Sequence, residues 1–191
     1  MRIRTILAAA AAPAALAAAL LGTTAAHAAT LPNGNSATAV HNQSDLDALV
    51  NNGVISGNID VAADAHVTLA WTTVNGNVSV EGVLAAQADT FNGNVTVSGP
   101  GSELSLYNDP GNHITGNLTV TGSSGQYDGG PNTSLGIYSN GQQVDGGLTF
   151  TGNTGRLATS GTLHVNGKVT YHPSGRDDLS QLTWGGKFVT V

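Results

Sequence analysis

The 191-residue sequence has no cysteine, so a disulfide framework and thiolate metal or redox chemistry are both excluded. Charge is scarce as well. Only 9% of residues are charged, six basic against twelve acidic. A chain this poor in cations offers nothing to a polyphosphate backbone or an anionic bilayer, so no nucleic-acid partner is expected. Aromatics make up 5%, which leaves few side chains for gripping a sugar or a protein. Beyond residue 21 no apolar run is long enough to span a bilayer. What the chain does have is glycine, 26 residues of it, with abundant Asn, Thr and Ser. That mixture suits turns and solvent-facing strands better than helices.

The first residues read as a leader. Arg2 and Arg4 form a basic head, and residues 6–21 are an apolar run of 16 built mainly from Ala and Leu. Ala26, His27 and Ala28 then form an A-x-A site. This is the pattern of a secretory signal peptide with cleavage after Ala28, and the run is short for a membrane anchor, which needs about 20. The expected division is a signal peptide at 1–28, a lead-in with a helical cap at 29–53, and a repeat domain at 54–191. The processed chain would keep four basic residues against twelve acidic, a net charge of −8. A secreted or cell-surface location with no membrane span follows as the expectation.

The repeat domain declares itself by one phrase. "ISGNIDV", "VNGNVSV", "FNGNVTV", "ITGNLTV", "VDGGLTF" and "VNGKVTY" align on Gly57, Gly76, Gly93, Gly116, Gly146 and Gly167, at spacings of 19, 17, 23, 30 and 21. A period near 20 with variable insertions is a solenoid signature. Within each phrase apolar residues alternate with polar ones, and a period of two means strand. Second apolar pairs such as Val67 and Leu69, or Leu104 and Leu106, would furnish other walls. The predicted fold is all-β: a single-stranded parallel β-helix of about six rungs, with "SDLDALV" (residues 44–50) as a short helical cap begun at Ser44. The aligned glycine is expected where the coil bends, because a side chain there would crowd the interior or strain the backbone. "KFVTV" at residues 187–191 reads as a bare strand whose open edge invites self-association.

Phrases such as "GNVTV", "GNLTV" and "VSGPGSELSLYNDPGNHITGNLTVTG" resemble the coils of bactofilins, of adhesin and autotransporter passenger domains, and of receptor-L-type repeats. The likeness covers residues 54 to about 171. It implies a β-helix with a scaffold or adhesive role, and it carries over no functional residues.

Catalysis finds little support in the aligned rows. The row Asp60, Ser79, Thr96, Thr119, Thr149, Thr170 holds one carboxylate, and so does the row Ser56, Asn75, Asn92, Thr115, Asp145, Asn166. Paired-carboxylate chemistry needs two acids facing one bond. His113 and His164 share a row with Gln143 between them, roughly 10 Å apart, too far to share a metal. The turns "YNDPGN" (107–112) and "YDGGPN" (127–132) carry oxygen donors of the kind Ca²⁺ takes, but turn chemistry alone accounts for them, and no cofactor is expected. Two binding candidates remain. One is a surface ladder of Asn77, Ser79, Asn94, Thr96, Asn117, Thr119, Thr149 and Thr170. The other is a recognition loop with Tyr127, Asp128 and Tyr138. The leading expectation is an exported structural or adhesive β-solenoid without catalysis, with polysaccharide or cell-envelope components as partners. The alternatives are a polysaccharide lyase or hydrolase with its site in the turns, and a glycan- or ice-binding module along the Asn/Thr face.

Overall fold

The structure is a computed structural model and describes residues 28–30, 36–125 and 132–191. The leader reading of residues 1–28 lies outside the described residues except for Ala28. The described chain winds as a parallel β-solenoid of about seven turns, with three sheets as its walls. Face 1 has seven strands: Val54–Ser56, Thr73–Asn75, Thr90–Phe91, His113–Ile114, Gln142–Val144, Leu163–Val165 and Leu182–Trp184. Face 2 has nine: Ala28–Thr30, Ser36–Val40, Asn58–Val61, Val78–Val80, Val95–Ser98, Leu118–Thr121, Leu148–Thr151, Val169–Tyr171 and Phe188–Thr190. Face 3 has five: His66–Ala70, Val83–Gln87, Glu103–Tyr107, Thr133–Ile137 and Arg156–Thr159. Each coil passes from face 1 through the aligned glycine to face 2, then to face 3 and back.

Alternation decides what lies inside. In the coil from Val74 to Gln87, Val74, Val78, Val80, Leu84 and Ala86 are buried, and Asn75, Asn77, Ser79, Glu81, Val83 and Ala85 between them are partly or fully exposed. The same positions stack from coil to coil. Val78, Val95, Leu118, Leu148 and Val169 form one buried column, and Val67, Leu84, Leu104, Leu135 and Leu157 form another. No single coil encloses this interior, so each relies on its neighbours to keep water out.

There are about seven coils where six were expected. Gly186 continues the glycine row, 19 residues beyond Gly167, and Phe188–Thr190 pairs in register with Val169–Tyr171. The "KFVTV" segment is thus a regular coil strand, and it forms the outer strand of face 2. At the other end Ser36–Val40, read from sequence as lead-in, is already a parallel strand of face 2. Ala28–Thr30 pairs antiparallel with it and covers its edge.

The steric demand at the glycine row differs from the expectation. Only Gly57 has a left-handed φ, +112°. At the others the obstacle is the neighbouring coil. A Cβ on Gly76, Gly93, Gly116, Gly146, Gly167 or Gly186 would lie 2.2–2.5 Å from the carbonyl oxygen of the preceding glycine in the row. Backbone stacks directly on backbone along this corner, and any side chain would wedge the coils apart.

The helical cap is present as α1, Gln43–Leu49, with Leu46 fully buried over the first coil. Its N-cap is Asn42, not Ser44: the Asn42 side-chain oxygen accepts the Asp45 N–H at 3.1 Å. Gln43 completes the cap. Its amide accepts from Thr68 N at 2.8 Å and donates to Thr68 O at 3.0 Å, standing in for a missing strand at the edge of face 3. Asp177 does the same at the far edge, accepting the Leu157 N–H at 2.6 Å, and Thr159 donates to Asp178 O. Burial and the Asp177 carboxylate together hold the Tyr171 hydroxyl above its usual range. No helix among the described residues is long and apolar enough to cross a membrane.

The glycine stack yields a direct test. Gly93→Ala should destabilise the fold by about 1–3 kcal/mol through overpacking. Gly122→Ala, whose Cβ meets no atom within 4 Å but whose φ is +64°, should cost only the left-handed backbone penalty, about 1 kcal/mol. Urea unfolding of both variants checks the order.

Candidate functional site

Face 2 brings the predicted ladder residues together in two parallel columns. The asparagine column runs along the edge next to the glycine corner. The Asn58 side-chain oxygen accepts the Asn77 N–H at 2.8 Å, Asn77 accepts from Asn94 N at 2.9 Å, Asn94 from Asn117 N at 2.9 Å, and Asn117 from Gly147 N at 2.8 Å. The amide nitrogens of Asn94 and Asn117 add contacts of 3.3 and 3.2 Å to the coil before. Asn77, Asn94 and Asn117 are therefore engaged in coil-to-coil bonding, and their side-chain oxygens serve backbone donors that the corner would otherwise leave unpaired.

The hydroxyl column is arranged differently. Ser79, Thr96, Thr119, Thr149 and Thr170 lie in strict register on successive coils. All five are half-exposed, and among the described residues none of their hydroxyls is taken up by a partner in the fold. Two places along each strand a second column repeats the pattern with Ser98, Thr121 and Thr151. Parallel strands about 4.8 Å apart thus carry hydroxyls about 6.6 Å apart along the strand, a flat two-dimensional array without charge. Asp60 stands at the foot of the first column, with Oδ1 buried and unpartnered among the described residues. The second column lay within reach of the sequence reading, because the T-x-T and T-x-S pattern is visible in "NVTVS", "NLTVT" and "GLTFT".

The recognition loop fares otherwise. Tyr127 and Asp128 lie outside the described residues. The described chain on either side is wall: Ser123 is buried, and Thr133–Ile137 is a strand of face 3. Tyr138 sits at the end of that strand and stacks on Tyr107, ring centroids 4.9 Å apart. Gly136 lets the ring lie flat, since a Cβ there would meet it at 2.3 Å.

Face 1 contains a pair that the row-by-row reading missed. His113 Nε2 and Asp145 Oδ2 are 2.7 Å apart. The two residues belong to neighbouring rows, so comparing residues within a row could not join them. Asp145 also accepts from Gln143 at 2.6 Å and Asn166 at 2.9 Å, and these bonds, with His113 first, hold its carboxyl below the ordinary value. His113, Gln143 and His164 do share a column, as expected, and His164 reaches Thr183 at 2.8 Å. Among the described residues no group of three or more His, Asp or Glu is placed to hold a metal ion. In the 107–112 turn, Asn112 points inward and its oxygen accepts the Asp89 N–H.

Asp89 is the most perturbed carboxyl among the described residues. It begins a second ladder, at the corner between faces 3 and 1. Asp89 accepts from Thr72 N at 2.7 Å and Gln87 N at 2.8 Å, Asn112 accepts from Asp89 N, and Gln142 accepts from Asn112 N. Here each side chain serves the backbone of the coil before it, the reverse of the asparagine ladder. Burial pushes the Asp89 carboxyl up to about 6, against the pull of its two N–H donors. Strongly shifted carboxyls often mark active sites, but this one is enclosed in the wall. No family model, curated protein or solved structure matches the chain. The resemblances to bactofilins, passenger domains and receptor-L repeats therefore rest on the shared coil phrase alone.

Two outcomes follow. Asn94→Ala should lower stability by about 1 kcal/mol, because Asn117 N loses its acceptor. Thr96→Val should leave stability within about 0.5 kcal/mol, since no fold bond is lost. Denaturant titration compares them. Asp89 predicts a pH effect. Its folded pKa exceeds the unfolded one, so between about pH 4 and 6 the unfolded chain releases a proton that the folded chain retains. Stability should fall as pH rises through that window, by of order 3 kcal/mol. Thermal melts at pH 4.5 and 7.5 should show a flatter response in Asp89→Asn, and equal slopes would refute the assignment.

Proposed function

We propose that this protein is a non-catalytic structural and adhesive module, exported to the cell surface or extracellular matrix, where face 2 lies against polysaccharide or other envelope polymer. One observation carries this reading: the hydroxyl columns of face 2 are in register and have no partners in the fold, while the asparagines beside them are engaged by backbone. A rigid array of donors and acceptors at fixed spacing matches a partner that is itself periodic. The ordering entropy of the array is already met by folding, so many weak contacts can add. The leader pattern in residues 1–28 supports export. The low charge supports contact with a neutral polymer over contact with a polyion.

The test is cosedimentation with insoluble cellulose, chitin and cell-wall preparations. The protein should partition to one or more of these solids without releasing soluble sugar. The double variant Thr96→Lys/Thr119→Lys should lose at least tenfold in partitioning while keeping its melting temperature within a few degrees. Release of reducing or unsaturated sugar would overturn the non-catalytic reading. Affinity for ice, read as thermal hysteresis, in place of polysaccharide binding would overturn the choice of partner.

A further inference from the structure

A second surface runs along the corner between faces 3 and 1, on the other side of the coil from the glycine row. In successive coils the strand register aligns Ala70, Gln87, Tyr107 and Tyr138, so the next residues, Trp71, Ala88 and Asn108, share one corner position. All three have left-handed backbone, with φ of 55°, 58° and 70°. Asn tolerates that conformation and Ala accepts it at modest cost, but a bulky aromatic is a steric outlier there. Trp71 is nonetheless 65% exposed, the most exposed large apolar side chain described. Neither packing nor backbone preference explains a tryptophan at this position.

Its surroundings are those of a binding edge. Ala70 and Thr72, on either side of Trp71, line a cleft of about 470 Å³ together with Gln43, Asp47, Val50, Thr68 and Leu69. Asp47 engages Gln43 at 2.8 Å through Oδ1. Farther along the same corner, Asn108 donates to the Gln87 amide oxygen at 3.2 Å, and beyond that pair the half-exposed Tyr138 ring stacks on Tyr107. Aromatic, amide, aromatic therefore alternate along the solenoid axis. At about 4.8 Å per coil, Trp71 and Tyr107 are two coils or roughly 10 Å apart.

We propose that this corner binds a single extended chain of a neutral, β-linked polysaccharide. Sugar rings present apolar C–H faces to aromatic rings and hydroxyl edges to amides and carboxylates. The two-coil stride is close to the repeat of a disaccharide in an extended β-linked chain. Trp71 is the first platform, the stacked pair of Tyr107 and Tyr138, which begins two coils on, is the second, and Gln87, Asn108 and Asp47 take hydroxyls. Asp47 is the charged side chain that lines this cleft, so polyuronates are disfavoured. This site is independent of face 2 and does not rest on its reading.

Trp184→Phe leaves Trp71 as the single tryptophan and reporter. Titration with cellohexaose or chitohexaose should give a saturable fluorescence change, and polygalacturonate should give none. By calorimetry Trp71→Ala should weaken hexasaccharide binding at least tenfold, Tyr138→Ala should weaken it several-fold, and Trp71→Phe should retain part of it. Thr96→Lys/Thr119→Lys should bind the soluble hexamers normally even where it no longer cosediments with the packed solids, which separates this single-chain site from face 2. No saturable change with either hexamer at millimolar concentration, or undiminished binding by Trp71→Ala, would overturn the proposal.

Discussion

The structure depends on one recurring contact: the backbone of each coil resting directly on the backbone of the coil before it at the glycine corner. Parallel strands supply hydrogen bonds along the flat walls, but at a corner the chain turns out of the ladder and its N–H groups lose their strand partners. The asparagines after the glycines restore them, each side-chain oxygen reaching the coil above. That reach is possible because the glycines let the coils close to contact distance. Glycine and asparagine act as one device, the first removing the obstacle and the second filling the bond.

The opposite corner solves the same problem with buried side chains and reversed polarity. Asp89, Asn112 and Gln142 lie inside the wall and serve the backbone of the preceding coil. An ionisable residue in that series is costlier to bury than an amide. Its two backbone donors offset part of the cost, and the two effects oppose each other in its titration. At the ends of face 3 the pattern recurs in smaller form, with Gln43 and Asp177 replacing strands that are absent. Polar side chains thus divide into those that hold coils together and those whose hydroxyls stand free on face 2. It is this division, more than composition, that separates scaffold from surface.

The repeat was legible because the phrase around each glycine is short and sterically constrained. Val74 to Val80 reads as a strand–corner–strand unit on inspection, and its partners at 17 to 30 residues read as its copies. The terminal units were harder. "WGGKFVT" keeps the spacing but has Val189 and Thr190 where the other units read polar then apolar, and "SATAV" has no glycine before it, so neither matched the phrase that the middle coils share. The helix was visible as an apolar stripe. Its N-cap was not, since Asn42 and Ser44 are both acceptable caps and only the backbone path selects between them.

Sequence alone determined that this chain is a stack of short parallel strands around an apolar interior, because a two-residue alternation repeated about every 20 residues buries its apolar side in no simpler way. It also placed the asparagine and threonine columns on an outer wall. Only the folded structure decided which of these side chains were already engaged, since that depends on where the backbone leaves its ladder at a corner. The pairing of His113 with Asp145 and the placing of Trp71, Tyr107 and Tyr138 along one corner likewise came from tertiary structure. Insertions of unequal length separate these residues in sequence, and only the register of the coils brings them to one edge.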